Sequence, residues 1–165
     1  MKRLILLRHA KSSWSEHGLA DSERPLSGRG ERDAPRMGAR LHARGVRPDL
    51  VLSSPALRAR STAKLVARAL DYADDAIRLD AALYLAAPEE ILAVIAAQTD
   101  AVGCLLVVGH NPGLTELANF LLPELELANL PTAGTVVVDC ATERWTEVRG
   151  AQRRLVYYDY PKNPG

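Results

Sequence analysis

Residues Leu4 to Trp14 read L-I-L-L-R-H-A-K-S-S-W. A short apolar run bounded by polar residues is the pattern of a strand buried on both faces, and this one stops abruptly at Arg8 and His9. The pattern recurs far along the chain, where Cys104 to Val108 (C-L-L-V-V) runs into Gly109, His110, Asn111 and Pro112. Two buried strands thus each deliver a histidine to the same kind of position.

Outward from these two runs, strand and helix patterns alternate. Ser27 is placed to cap a helix reaching about Arg44, with Ala34, Met37 and Leu41 on one face and Gly45 as its stop. Leu50 to Leu52 reads as a second strand. Ser54 and Pro55 then offer an N-cap and an N1 proline to a helix with Ala59, Ala63, Val66 and Leu70 at helical spacing. Ala76 to Leu79 is a weak third strand, and Pro88, Glu89 and Glu90 open a helix with carboxylates at the positive end of its dipole. After Cys104 to Val108, Asn111 is placed as a cap and Pro112 at N1 of a helix carrying Leu114, Leu117, Ala118 and Leu121.

The segment from Pro123 to Ala133 is irregular. Thr135 to Asp139 and Arg154 to Tyr158 read as late strands, with antiparallel pairing open to the first, and Pro161 to Gly165 reads as a frayed tail. The order predicts an α/β protein, a three-layer α/β/α sandwich with a mostly parallel central sheet, forming one domain over residues 1–160.

The composition narrows the function classes. The chain has 165 residues, 47% of them apolar, and 21 Lys plus Arg against 20 Asp plus Glu. Such a balance makes no broad electrostatic case for nucleic acid or a membrane surface. Cys104 and Cys140, each in an apolar strand pattern, read as buried thiols rather than a disulfide framework, which suits a reducing cytosol. The start, Met-Lys-Arg followed by four apolar residues, is too short for a signal peptide's apolar region, and no run approaches the length of a membrane span. A cytoplasmic location is expected.

Ligands of open α/β sheets sit outside the carboxyl ends of the strands, and three strand-to-helix junctions converge there. They carry Arg8 with His9, Arg58 in a helix's first turn, and His110 before a helix N-terminus. Arginine forks hydrogen-bond phosphate oxygens, and helix N-termini attract anions. A neutral imidazole can then act as an in-line nucleophile and form a covalent phosphohistidine. With arginines supplying the positive charge, neither a metal nor another cofactor is expected. Taken singly, each residue has an ordinary reading: a hydrogen-bonded structural histidine, or a solvated helix arginine like neighbouring Arg60. For His17 and His42 the ordinary reading is preferred. The case rests on the joint pattern.

Arg8-His9-Ala10, the S-P-x-L-R-A-x-x-T stretch from Ser54 to Thr62, and Gly109-His110-Asn111 together resemble the histidine phosphatase superfamily, whose fold is called phosphoglycerate mutase-like. Ala10 stands where most members have glycine. R-H-A-K-S-S-W followed by R-P-L-S-G-R-G is similar to the small SixA-type phosphohistidine phosphatases. The resemblance implies that His9 is the phosphorylated nucleophile and that Arg8 and Arg58 hold the phosphoryl oxygens. It gives His110 the role of a cation beside them. Ser15 occupies a place where many relatives have asparagine.

Larger relatives carry a carboxylate acid within a lid insertion after the third strand. Here that stretch, R-L-D-A-A-L-Y-L-A-A-P-E-E, has no room for a lid and no clear match, which leaves Asp80, Tyr84 and Glu89 as candidates. A missing acid favours a leaving group that needs no proton, such as the imidazole of phosphohistidine. The expectation is a metal-independent phosphatase acting on a phosphorylated substrate such as a phosphohistidine-bearing signalling protein. The alternatives are a phosphomonoesterase for small molecules and, from another class, a non-catalytic phosphate-binding module.

Overall fold

A computed structural model describes residues 1–164 and shows a six-stranded sheet between two helical layers. The elements are β1 (Lys2–Arg8), α1 (Gly28–Ala43), β2 (Leu50–Ser53), α2 (Leu57–Ala69), β3 (Arg78–Leu79), α3 (Pro88–Ala96), β4 (Cys104–Gly109), α4 (Gly113–Leu121), β5 (Thr135–Cys140) and β6 (Arg153–Asp159). Strand order is β3-β2-β4-β1-β5-β6. The first four of these pair in parallel, whereas β5 runs antiparallel to both β1 and β6.

The apolar runs are continuous because the central strands are covered on both faces. Leu4, Leu6, Leu105 and Val107 pack against the layer containing Ile91, Ile95, Leu114 and Leu117 of α3 and α4. Their alternating neighbours Ile5, Leu7, Leu106 and Val108 pack against Met37 and Leu41 of α1 and Ala63 and Val66 of α2. The period-2 alternation of a strand therefore feeds two cores from one run. Ser27 caps α1 by accepting from the Gly30 N–H, and Gly45 leaves the helix at φ +79°. The Glu90 carboxylate accepts from the Ala87 N–H at 2.9 Å at the start of α3.

Three local expectations are corrected. Ser54 and Pro55 lie outside α2, whose first helical residue is Leu57. The Ser54 hydroxyl accepts from Ala56 N–H at 3.2 Å, closing a turn instead of capping the helix. Likewise α4 starts at Gly113, leaving Pro112 in the flanking position. From one position farther out, Asn111 Oδ1 accepts from the Thr115 N–H at 3.1 Å and its hydroxyl at 2.8 Å. The expected frayed tail is also tied down. Pro161 is buried, and Arg40 donates to the carbonyls of Tyr160 and Asn163 while holding the buried Asp159 carboxylate at 3.2 Å. The end of that tail, Gly165, lies outside the described residues.

Candidate active site

The two histidines meet because their strands are neighbours in register. β1 and β4 pair Leu7 with Val108 and Arg8 with Gly109, so the next residue of each strand end is a histidine. The His9 N–H donates to the Gly109 carbonyl at 3.0 Å, and the ring centroids of His9 and His110 stand 5.3 Å apart. β2 ends on the same edge, where the Ser54 N–H donates to the Val108 carbonyl at 3.1 Å.

His9 is 7% exposed, and its Nδ1 lies 2.8 Å from the Ala10 carbonyl. A carbonyl only accepts, so Nδ1 carries the proton and Nε2 keeps its lone pair. Burial pushes the ring down to about 3, although the Ala10 carbonyl works the other way; the charges of His110, Arg58 and Arg8 add to the drop. His110 is pushed down to about 4, again mainly by burial and then by Arg58. Burial and the neighbouring arginines thus favour neutral imidazoles at both positions. His110 Nε2 lies 2.7 Å from the Ser54 hydroxyl, and its buried Nδ1 has no partner among the described residues.

Arg58 is 3% exposed, whereas Arg60 on the same helix is exposed. The Thr62 hydroxyl donates to the Arg58 carbonyl at 2.7 Å and accepts from the Ala10 N–H at 2.9 Å. The bond from the Ala10 N–H fastens α2 to the turn after β1. Arg8 donates through Nη1 to the Leu130 carbonyl at 2.9 Å, a carbonyl that also receives the Asn111 amide at 2.9 Å. Its Nε is a buried donor without a partner among the described residues, and burial lowers the Arg8 pKa. A buried donor of this kind is a ready contact for an anion.

Of the acid candidates, Tyr84 alone reaches this cluster. Its ring stands edge-on to His110 at 5.5 Å. Asp80 instead accepts from Ala82 N–H at 2.9 Å, and Glu89 pairs with Arg149 at the start of α3. Ser15 turns away to share a hydrogen bond with Ser13 at 2.7 Å. His17 is exposed, and His42 lies 3.3 Å from Asp71.

The sequence reading missed Asp21. Arg58 donates to its backbone carbonyl at 2.7 Å and to its Oδ2 at 2.9 Å. Tyr84 donates its hydroxyl to Oδ2 at 2.6 Å, and Arg24 reaches Oδ1 at 3.2 Å. These donors, Tyr84 foremost, hold the Asp21 carboxyl down at about 2, and the same bond raises the Tyr84 phenol. Asp21 lies in a polar loop with Glu16 and Glu23 close by, and no spacing there singles it out. The only usable signal was Arg24 of the R-P-L stretch, which stacks 3.2 Å over the Trp14 ring and bonds Ser12.

A neutral histidine with a free nitrogen, two buried or half-buried arginines and a second histidine are groups whose chemistry suits a phosphoryl ligand. The family model of the histidine phosphatase superfamily (branch 1) matches residues 4–84. An uncharacterized protein of Mycobacterium tuberculosis is 36% identical over 94% of this chain and 100% of its own length. An uncharacterized chloroplastic protein of Arabidopsis thaliana is 36% identical over 73% of this chain, which spans 59% of that protein's length. The structure of a protein described as a phosphohistidine phosphatase, SixA, from Agrobacterium tumefaciens superposes with a TM-score of 0.83 at 32% identity, covering 97% of this chain and 98% of that one. The chain belongs to the histidine phosphatase superfamily, and its fold is SixA-like.

Proposed function

We propose that the protein is a metal-independent phosphatase that works through a phosphorylated His9 and acts on phosphohistidine in proteins. The observation that carries the mechanism is the state of His9, a buried neutral ring whose Nδ1 proton is tied to the Ala10 carbonyl. The Nε2 lone pair forms the bond to phosphorus while the bond from phosphorus to the leaving atom breaks and its electron pair departs with the leaving group. Water then attacks the phosphohistidine, releasing inorganic phosphate and restoring Nε2.

Charge developing on the phosphoryl oxygens is met by the Nε of Arg8, which has no partner among the described residues, and by the N–H groups of Arg58 not used by Asp21. A bound phosphoryl dianion also raises the pKa of the buried His110, whose resting value is about 4, and draws a proton onto it. With this charge supplied by the chain's own cations, turnover should survive chelators.

The substrate reading is supported by what surrounds the leaving side. Asp21 is ionised and Tyr84 commits its proton to Asp21, so neither is a ready acid near neutral pH. Asp80 and Glu89 are engaged elsewhere. An alkoxide departs poorly without a proton donor, whereas the ring of a phosphohistidine protonated on its other nitrogen departs neutral. Free Cys104 and Cys140 fit a reducing cytosol, where a phosphohistidine-bearing signalling protein would be met.

The deciding experiment is rapid-quench labelling with a phosphohistidine protein and with aryl and alkyl phosphates. Acid-labile, base-stable label on His9 and fast turnover of phosphohistidine are expected. Full activity in His9→Ala would overturn the mechanism, and preference for alkyl phosphates would overturn the substrate.

A further inference from the structure

The Asp21 carboxylate is held beside the phosphoryl site without lying among the groups assigned to phosphate. Arg58 and Tyr84 share its Oδ2, and Arg24 takes Oδ1. An ionised carboxylate offers about four acceptor positions, and these donors fill three. The Asp21 side chain is still 42% exposed, so the remaining lone pair is open to an incoming group. Its place is fixed relative to the nucleophile. Tyr84, bonded to Asp21, abuts His110, and the His110 ring neighbours that of His9. A phosphoryl group bonded by the free edge of Arg58 lies next to the carboxylate that the same guanidinium holds.

We infer that Asp21 is a specificity-determining residue that accepts the ring N–H of a phosphoimidazole substrate, selecting for phosphohistidine in its ring-protonated form. This rests on the phosphatase reading above and deepens it. The reacting ring carries phosphorus on one nitrogen and a proton on the other. As the bond between His9 Nε2 and phosphorus forms, the phosphorus–nitrogen bond breaks and its pair stays on the ring nitrogen. The proton remains on the second nitrogen, bonded to Asp21, and a neutral imidazole leaves. A carboxylate suits this task better than an acid would, because it stabilises the protonated ring that departs easily. An aryl or alkyl phosphate offers no such donor.

The test compares the wild type and Asp21→Asn on three substrates: phosphoimidazole, its N-methyl analogue and an aryl phosphate. At pH 6 the parent ring is largely cationic and the N-methyl ring wholly so, which makes them similar leaving groups. The wild type should favour the N–H compound over the N-methyl compound by roughly ten- to hundredfold in kcat/KM, the size of one charge-assisted hydrogen bond. Asp21→Asn should erase most of that preference. It should also move the alkaline limb of kcat on phosphoimidazole to lower pH, since the ring proton loses its carboxylate.

Equal losses on all three substrates, with the limb unmoved, would mean that Asp21 only positions Arg58, and the inference would fail. If the variant does not fold, the wild type alone decides, because equal turnover of the N–H and N-methyl compounds also overturns it. A wild type that cleaves the aryl phosphate and neither phosphoimidazole would instead sink the phosphohistidine reading, and this inference with it.

Discussion

The backbone carbonyl of Ala10 lies 2.8 Å from Nδ1 of His9, so the residue that follows the histidine decides which of its nitrogens is free. The contact is set by the turn leaving β1, which Thr62 anchors through the Ala10 N–H. It requires no further side chain to orient the ring. Burial does the rest, keeping the imidazole neutral.

As the proposed nucleophile, His9 would therefore be available well below the usual range of histidine. With His9 at about 3, the rate on an aryl phosphate should hold between pH 7 and pH 5 with no limb near 6.5. His9→Ala should lose on the order of 10³-fold or more. An acid limb centred at 6.5 in the pH profile of kcat/KM would show that the ring titrates normally.

Arg58 and Arg60 should differ sharply, since one is buried against Asp21 and the other exposed. Loss of a charged hydrogen bond costs about 1.5–3 kcal/mol, so Arg58→Ala should drop kcat/KM at least ten- to hundredfold. Arg60→Ala should stay within about twofold, as exposed substitutions do. Steady-state kinetics on one aryl phosphate checks both, and equal effects would contradict the packing of α2.

Stability should fall on the acid side because of the same two rings. Folding lowers His9 from 6.5 to about 3 and His110 from 6.5 to about 4. As pH drops below 6.5 the unfolded chain takes up protons that the folded one refuses. Stability is thus complete above 6.5 and is lost on the way down, by up to about 1.4 kcal/mol per pH unit for each ring. Melting temperatures of wild type, His9→Gln and His110→Gln between pH 7.5 and 4.5 test this. Each variant should decline less steeply, and parallel curves would refute the assignment.

The C-terminal segment offers a prediction independent of the site. Arg40→Ala removes the guanidinium that holds Asp159, itself 1% exposed, together with the carbonyls of Tyr160 and Asn163. A loss of about 1.5–3 kcal/mol is expected from urea titration, with activity retained in the folded fraction. A change below about 0.5 kcal/mol would mean that Asn163 and the Tyr160 N–H satisfy the carboxylate alone.

Most of the fold was readable because β1 and β4 are continuous apolar runs at their centres and the helices between them carry their own spacing and stops. The errors fall where one residue type serves two purposes. Ser54 and Asn111 are good helix caps by composition, yet Ser54 meets His110, and Asn111 ties Leu130 to the first turn of α4. A hydroxyl before a proline looks the same in either role. Arg8, His9 and His110 stand at strand ends and Arg58 in the first turn of the helix after β2, so their convergence was legible from the joint pattern of the junctions. Asp21 could not, since its position depends on how a polar loop folds back on α2, and no periodicity encodes that. Tyr84 was visible only as one of three candidates, because β3 is too short to aim the residues after it.

The register of β1 on β4 divides the molecule into parts with different freedom to vary. His9 and His110 are paired by the sheet itself, so inserting a single residue in either strand would turn one of them to the opposite face and end the chemistry. Asp21 and Tyr84 stand in the segments that follow β1 and β3, outside the strand pairing that sets the two rings. On the reading proposed above, changes confined to those two segments would alter the choice of leaving group, while the pairing of His9 with His110 would stay as the sheet sets it.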